Sequence, residues 1–290
     1  MLQCSLHNYD LMTDLLNFPE VQSFVLPLLA ALLVGAIAHR FSFAQRGIGM
    51  IAGFIVTVLF VNGVELQPLT AARKIIILGL AAAIIGAVVD QRGARWRGRP
   101  LYFAMLSILA SAWVMGVALL RKNGLELLTA GAGVAFYTAW VTYWLDRLSD
   151  QELRATSATV SLGLGTGLAA IIGSSALFGQ MAIAISAASG GVLLLALLKK
   201  GPNKEGAGCV LTLPAGILLG LIGCTAVAFA DLPWMVLVIL SLIPLVASGL
   251  PVPIHWQRGP QATLLTISTL AVAGLALAYA WYLAGGSSYS

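Results

Sequence analysis

The residues best suited to chemistry lie where an apolar segment ends, in the stretch IGAVVDQRGARWRGRP at residues 85–100. One carboxylate, Asp90, closes the apolar segment, and arginines crowd the positions after it. These arginines are Arg92, Arg95, Arg97 and Arg99. Carboxylate oxygens suit Mg²⁺, and guanidinium groups suit phosphoryl oxygens, so the pattern predicts a site for a substrate that carries phosphates. The same arginines also fit a plain topology signal, because basic residues mark the cytoplasmic side of a membrane.

Other polar residues fall into short segments between apolar runs. Counting the stretch above, the segments are 39–47, 90–100, 145–154, 199–208 and 251–260. They hold His255 and five of the 11 acidic residues, which are Asp90, Asp146, Asp150, Glu152 and Glu205. If all five segments face one side, any chemistry occurs at that membrane surface. Simple surface pairs are the alternative, since Asp150 and Arg154 are one helical turn apart.

The elements that must position these residues are membrane helices. The chain has 290 residues, of which 59% are hydrophobic and 9% charged, and its mean hydropathy is +0.94. This composition excludes an ordinary soluble domain and indicates one transmembrane domain over 1–290, with an N-terminal segment 1–21 before a helical bundle 22–285. The net charge of +5 is explained by basic loops facing an anionic leaflet. The three scattered cysteines give no zinc or disulfide pattern.

Apolar runs of spanning length predict an all-α fold with about ten transmembrane helices. The runs are at about 22–40, 48–64, 74–90, 101–120, 126–146, 155–174, 178–199, 210–230, 233–250 and 262–284. Placing the N-terminus outside puts 12 of the 16 basic residues on the inner side. The positive-inside rule therefore predicts that both termini are extracytoplasmic and that the five polar segments face the cytoplasm.

The order of these segments resembles the polyprenyl-phosphate sugar-1-phosphate transferases, the membrane family of glycosyl transferase family 4 that makes the first lipid-linked sugar in cell-wall and O-antigen polysaccharide synthesis. The resemblance covers about residues 22–285 and is strongest at Ile85 to Asp90, where the family has Ile-Gly-small-apolar-Asp-Asp. Asp90 takes the place of the second aspartate. Arg97 and Arg99 take the places of basic residues before the fourth helix.

The third inner segment resembles the family's Asn-rich run leading to Asp-Gly-x-Asp-Gly. Asp146 falls on the second asparagine, Ser149 on the first aspartate and Glu152 on the second aspartate. The residues AQRGIGMIAGF at 44–54 resemble a family loop that runs into a Gly-Gly helix start. The residues EGAGCVLTLPAGILLG at 205–220 resemble a Gly-Asp-x-Gly-Ser turn before a helix.

The resemblance implies a magnesium-dependent transfer of a sugar-1-phosphate from a nucleotide sugar to a polyprenyl phosphate, at the cytoplasmic face of a bacterial inner membrane. It implies Asp90 and Glu152 as metal ligands and, with Asp150, as catalytic acids. It implies that substrate is bound by Arg46, Arg92, Arg97, Arg99 and His255. It leaves a homodimer open.

This chain lacks an acidic residue or a histidine at several positions where the family has one. Val89 stands where the family has its first aspartate, the turn at 205–208 lacks an aspartate, and His255 alone replaces a histidine cluster. The chain is therefore expected either to retain weak or altered transfer or to have become a non-catalytic binding or partner protein.

Two other functions stay open from the sequence. Ten helices also describe small-solute or lipid transporters, and SLGLGTGLAAIIGSS at 161–175 could be a broken helix at a substrate site. Such a run of small residues is more typical of a close helix–helix contact. The other function that stays open is that of a structural subunit of a membrane complex. Cytoplasmic termini would favour the transporter, which usually has both ends inside.

Overall fold

A computed structural model describes residues 18–40, 47–61, 63, 67–92, 97–121, 123–198, 206–230, 232–253 and 256–286. Arg46, Arg95, Glu205 and His255 lie outside these described residues. Every regular element within the described ranges is a helix, so the predicted all-α fold is confirmed.

The helices follow one another with short connections. A π-helical turn, Val21–Val25, leads directly into α1, Leu26–Arg40. The others are α2 Ile48–Val61, α3 Ala71–Gln91, α4 Arg99–Leu119, α5 Gly124–Arg147, α6 Glu152–Ile172, α7 Ala176–Leu198, α8 Cys209–Phe229, α9 Trp234–Leu240, α10 Ile243–Gly249 and α11 Arg258–Gly286. Each predicted apolar run coincides with one of these helices or, at 233–250, with the pair α9 and α10.

Seven helical segments of the described chain are long and apolar enough to cross a membrane. They are Val21–Ala38, α3, α4, α6, α7, α8 and Arg258–Gly285. The helix α2 and the segment Trp234–Gly249 are apolar but shorter. The helix α5 is long enough at 24 residues, but its glycine, threonine, tyrosine and tryptophan residues lower its hydropathy. Seven such helices make this a multi-pass membrane protein by length and composition.

The outward faces of the helices are apolar, as lipid contact requires. Leu33, Ile84 and Leu109 are each about two-thirds exposed, and Leu275 is equally exposed on α11. An apolar surface of this extent is not stable in water, whereas in a bilayer it meets acyl chains.

The helix α8 is the centre of the bundle, and 94% of its most apolar window is buried inside the protein. It packs mainly against α3 and α5. Glycines make these contacts close: a Cβ at Gly86 of α3 would lie 2.5 Å from the Cys209 carbonyl oxygen, and one at Gly216 of α8 would lie 2.8 Å from Thr142 Cα. Gly86 of the Ile85-Gly86 pair therefore has a packing role, because it lets α3 approach the α8 backbone.

The small-residue run at 161–175 is a helix–helix contact. The helix α6 is unbroken over Glu152–Ile172 and contains residues 161–172 of this run, and the last three residues form the turn before α7. A Cβ at Gly163 would meet Ala182 O at 3.0 Å, and one at Gly167 would meet Gly179 O at 2.9 Å, both on α7. On the other side of α6, the Ser161 and Thr269 hydroxyls hydrogen-bond at 2.7 Å. The packing interpretation of these residues holds, because only small side chains let the two backbones approach this closely.

The segment 234–249 is split into α9 and α10 around Ser241. Backbone carbonyls at the split and at the end of α10 accept hydrogen bonds from side chains of other helices. The Trp140 indole N–H donates to Ser241 O at 3.2 Å. The Arg154 guanidinium donates to the carbonyls of Ala247, Ser248 and Leu250 at 2.6, 2.7 and 2.9 Å. Arg154 thus satisfies carbonyls that a helix C-terminus leaves without intrahelical donors.

Candidate functional site

Five helix ends meet at one end of the bundle, which we name the polar end. Here α3 and α5 end, and α4, α6 and α8 begin. The elements bring together side chains that are far apart in sequence, because α8 lies between α3 and α5. Asp90 comes from α3, Arg99 from α4, Asp146 from α5, and Cys209 is the first residue of α8.

Asp90 caps the N-terminus of α8 from a different helix. Its Oδ1 accepts a hydrogen bond from the Cys209 backbone N–H at 2.8 Å, and its Oδ2 accepts one from the Val210 N–H at 2.9 Å. The first N–H groups of a helix have no intrahelical acceptor, and the positive end of the helix dipole favours a negative charge there. Both oxygens of the carboxylate are therefore used to hold α3 against the start of α8.

Gly208 shapes the turn that delivers α8 to Asp90. Its backbone has φ 78° and ψ 164°, a conformation that is essentially restricted to glycine. A Cβ at this position would also lie 2.5 Å from Asp90 Oδ2. The Gly208 N–H donates to Ser149 O at 3.1 Å, so the same turn is joined to the loop between α5 and α6.

Arg99 and Asp146 form a buried ion pair next to this cap. The Arg99 Nε lies 3.0 Å from Asp146 Oδ2, and the Arg99 Nη2 donates to Ser149 Oγ at 2.6 Å. Arg99 is 8% exposed and Asp146 is completely buried. Burying two charges is tolerated only when they are paired and hydrogen-bonded, and this pair satisfies that condition.

Cys209 joins the cap to the ion pair. Its backbone N–H contacts Asp90, and its thiol donates a weak hydrogen bond to Asp146 Oδ1 at 3.7 Å. The polar end thus contains one connected network of Asp90, Arg99, Asp146, Ser149 and Cys209.

The structure separates the predicted site residues into three groups. Asp90 and Arg99 belong to the network, in which Asp90 is partly buried and Arg99 is buried and paired with Asp146. Glu152, the first residue of α6, is buried as well. Arg92, Arg97 and Asp150 are exposed. The predicted positions Arg46 and His255 lie outside the described residues.

Four residues of the polar end were not among the predicted site residues, and one of them is Cys209, which joins Asp90 to Asp146. Asp146 and Ser149 complete the Arg99 interaction, and Arg147 stacks on two aromatic rings at the surface. A usable signal was present for Asp146, since a lone carboxylate at the end of an apolar helix needs a partner when it is buried. The identity of that partner depends on the packing of α4 against α5.

The implied magnesium site can be tested against these contacts. Mg²⁺ needs oxygen ligands in near-octahedral geometry, supplied by carboxylates, water and substrate phosphates. Both Asp90 oxygens accept backbone N–H groups, and Asp146 is neutralised by Arg99. Within the described ranges, no three His, Cys, Asp or Glu side chains come together as a metal-ligand group. At Asp90, one of the two predicted metal ligands, both carboxylate oxygens are thus engaged by the start of α8.

No protein-family model matches this chain, and no curated protein matches it significantly.

Proposed function

We propose that this chain is a non-catalytic relative of the polyprenyl-phosphate sugar-1-phosphate transferases. It binds the phosphate groups of a nucleotide sugar at the polar end without transferring the sugar phosphate. Membrane-spanning helices, the segment order and the Ile85 to Asp90 motif support the relationship. The proposal includes ten membrane crossings, extracytoplasmic termini and a cytoplasmic polar end in a bacterial inner membrane.

The loss of transfer is supported by the two hydrogen bonds that Asp90 accepts from the start of α8. In a transferase of this kind an acidic residue at this place would hold a metal against the diphosphate. Here the carboxylate serves as a helix cap, and its neighbour Val89 has no polar group. Groups that act as a unit in catalysis lose most of the rate when one is removed, so the remaining acids do not restore transfer.

Binding of a nucleotide sugar is supported by two exposed arginines that do not belong to the network. Arg92 and Arg97 flank the end of α3 and the start of α4, and both are exposed. Guanidinium groups bind phosphate oxygens with paired hydrogen bonds and need no metal to do so. A nucleotide diphosphate is a ligand of the charge and shape that such a pair recognises.

An incorporation assay tests the loss of transfer. Wild-type chain in lipid vesicles receives several nucleotide sugars, polyprenyl phosphate and Mg²⁺, and the expected result is no lipid-linked product. Product that requires Mg²⁺ and disappears in Asp90→Asn would overturn the proposal. Reporter fusions at the two termini test the topology in the same membranes, and a cytoplasmic location for either terminus would contradict the proposed orientation.

A binding assay tests the remaining activity. Equilibrium binding of a labelled uridine diphosphate sugar is measured with Mg²⁺ and with EDTA, and equal affinities are expected. The double variant Arg92→Gln/Arg97→Gln is expected to weaken binding about tenfold or more, the scale of a lost charge-assisted contact. The matched control is Arg121→Gln, since Arg121 is exposed in the turn after α4, at the opposite end of the bundle. No binding by the wild type would remove this function.

A further inference from the structure

The surface of α5 next to the polar end carries a row of aromatic side chains. Phe136, Trp140 and Trp144 are spaced four residues apart and therefore follow one face of the helix. The rings of Phe136 and Trp140 stack with centroids 5.6 Å apart, and those of Trp140 and Trp144 are 5.8 Å apart. Phe136 is 67% exposed, while the two tryptophans are partly buried. The row gives a continuous aromatic wall along the lipid-facing side of α5.

Arg147 stands at the end of this wall. Its guanidinium carbon lies 5.5 Å from the centre of the Tyr143 ring and 5.7 Å from that of Trp144. The Tyr143 and Trp144 rings meet edge to face, which fixes the surface on which the guanidinium rests. Arg147 is exposed, and no carboxylate in the described part of the chain forms an ion pair with it.

The exposed guanidinium of Arg147 keeps N–H donors available to a ligand. A cation–π contact is an electrostatic attraction to the ring and does not need these donors to form conventional hydrogen bonds. Those donors match two oxygens of a phosphate. The neighbouring acid Asp146 does not compete for them, because it is buried and paired with Arg99.

A hydrogen bond to a neighbouring part of the bundle also fixes one ring of the aromatic wall. The Trp140 indole N–H donates to Ser241 O, which fixes that ring against the split between α9 and α10. An acyl chain lying on the wall therefore loses little protein flexibility on binding, and preorganisation of this kind raises affinity.

We infer that Arg147, Tyr143 and the Phe136–Trp140–Trp144 row form a binding site for an anionic diacyl phospholipid. The phosphate headgroup accepts hydrogen bonds from Arg147, and one acyl chain lies along the aromatic row. A lipid is the occupant because the cation adjoins an apolar wall, and a free phosphate would use the cation alone. This site shares no residue with Arg92 and Arg97, and it does not rest on the proposed function.

The test uses the full chain in phosphatidylcholine nanodiscs that contain brominated phosphatidylglycerol or brominated phosphatidylcholine. Bromine quenches tryptophan fluorescence on contact. Because the chain has seven tryptophans, the quenching at Trp140 and Trp144 is taken as the difference between the wild type and the variant Trp140→Phe/Trp144→Phe. The wild type is expected to favour phosphatidylglycerol by about fivefold or more, as a charge-assisted contact at a wet interface allows. Equal quenching by the two lipids would overturn the inference.

Variants assign the preference to Arg147. Arg147→Gln is expected to abolish most of the preference, Arg147→Lys to retain a part of it, and the control Arg121→Gln to retain all of it. Native mass spectrometry of the same variants counts bound phosphatidylglycerol and does not depend on fluorescence. An unchanged preference in Arg147→Gln, or an equal loss in Arg121→Gln, would exclude this site.

Two further additions separate the sources of phosphate. Inorganic phosphate at millimolar concentration is expected to leave the quenching unchanged, and full displacement of the lipid by phosphate would show a simple anion site. Polyprenyl phosphate is expected to compete no better than phosphatidylglycerol. If polyprenyl phosphate alone bound and phosphatidylglycerol did not, the phospholipid inference would fail while the proposed nucleotide-sugar binding would stand.

Discussion

Asp146 and Arg147 are neighbours in the sequence, yet they lie in two different regions of the polar end. Asp146 points into the bundle, is completely buried and is paired with Arg99 at 3.0 Å. Arg147 points outward, is exposed and rests on the rings of Tyr143 and Trp144. One charge therefore joins helices to one another, whereas the other lies on the outer surface of the bundle. The comparison shows that a charged residue at a helix end can either hold helices together or remain on the surface. The side of the helix on which the residue lies decides between the two, and consecutive residues lie on different sides.

The largest effect is expected from removing the buried arginine. Arg99→Met leaves Asp146 as a buried carboxylate without its partner, and the free energy of unfolding is expected to fall by about 3–5 kcal/mol. Chemical denaturation in detergent micelles measures this change. The control Arg97→Met, at an exposed position, is expected to change it by less than about 0.5 kcal/mol.

The double variant Arg99→Met/Asp146→Leu sharpens the same comparison. Replacing both charges by apolar groups removes the unpaired carboxylate, so most of the lost stability is expected to return. A double variant as unstable as the sum of its single variants would show that the two side chains do not act as a pair.

A smaller loss is expected from Gly208→Ala. An alanine there is strained in this backbone conformation and meets Asp90 Oδ2, which gives a destabilisation of about 1–3 kcal/mol in denaturation experiments. Gly249→Ala is the matched control, because nothing lies within 4 Å of a Cβ at Gly249. If both substitutions cost the same, the turn before α8 does not depend on glycine.

Removing the Asp90 cap should lower the free energy of unfolding by less than the backbone strain of Gly208→Ala does. Asp90→Ala is expected to lower the free energy of unfolding by about 1 kcal/mol, the usual value for a lost N-terminal cap. The wild-type unfolding midpoint is expected to be the same in Mg²⁺ and in EDTA, because Asp90 binds backbone N–H groups. A midpoint that rises with Mg²⁺ in the wild type but not in Asp90→Ala would show that this carboxylate is a metal ligand.

The smallest effect on folding is expected from changing Arg147, the exposed residue of the compared pair. Arg147→Gln removes only surface cation–π contacts, so the free energy of unfolding should change by no more than about 0.5–1 kcal/mol. The unfolding midpoint in detergent without added lipid measures this. A loss as large as that of Arg99→Met would mean that Arg147 holds helices together as Asp146 does.

The sequence by itself determined the membrane class, the positions of the helices and the concentration of charge at their ends. These features depend on local composition: a run such as 210–230 is apolar enough to predict α8 without knowledge of its neighbours. The small residues at 163–167 likewise indicated a close contact, and α7 supplies it.

Only the tertiary structure decided what the charges do. The motif at Ile85–Asp90 predicts a metal ligand, and the structure adds that Asp90 caps α8, which begins 119 residues later. Arg99 is predicted to contact phosphate, and the structure adds that it pairs with Asp146, 47 residues away. Such partners depend on which helix ends meet in space, and hydropathy and spacing along one chain do not contain that information.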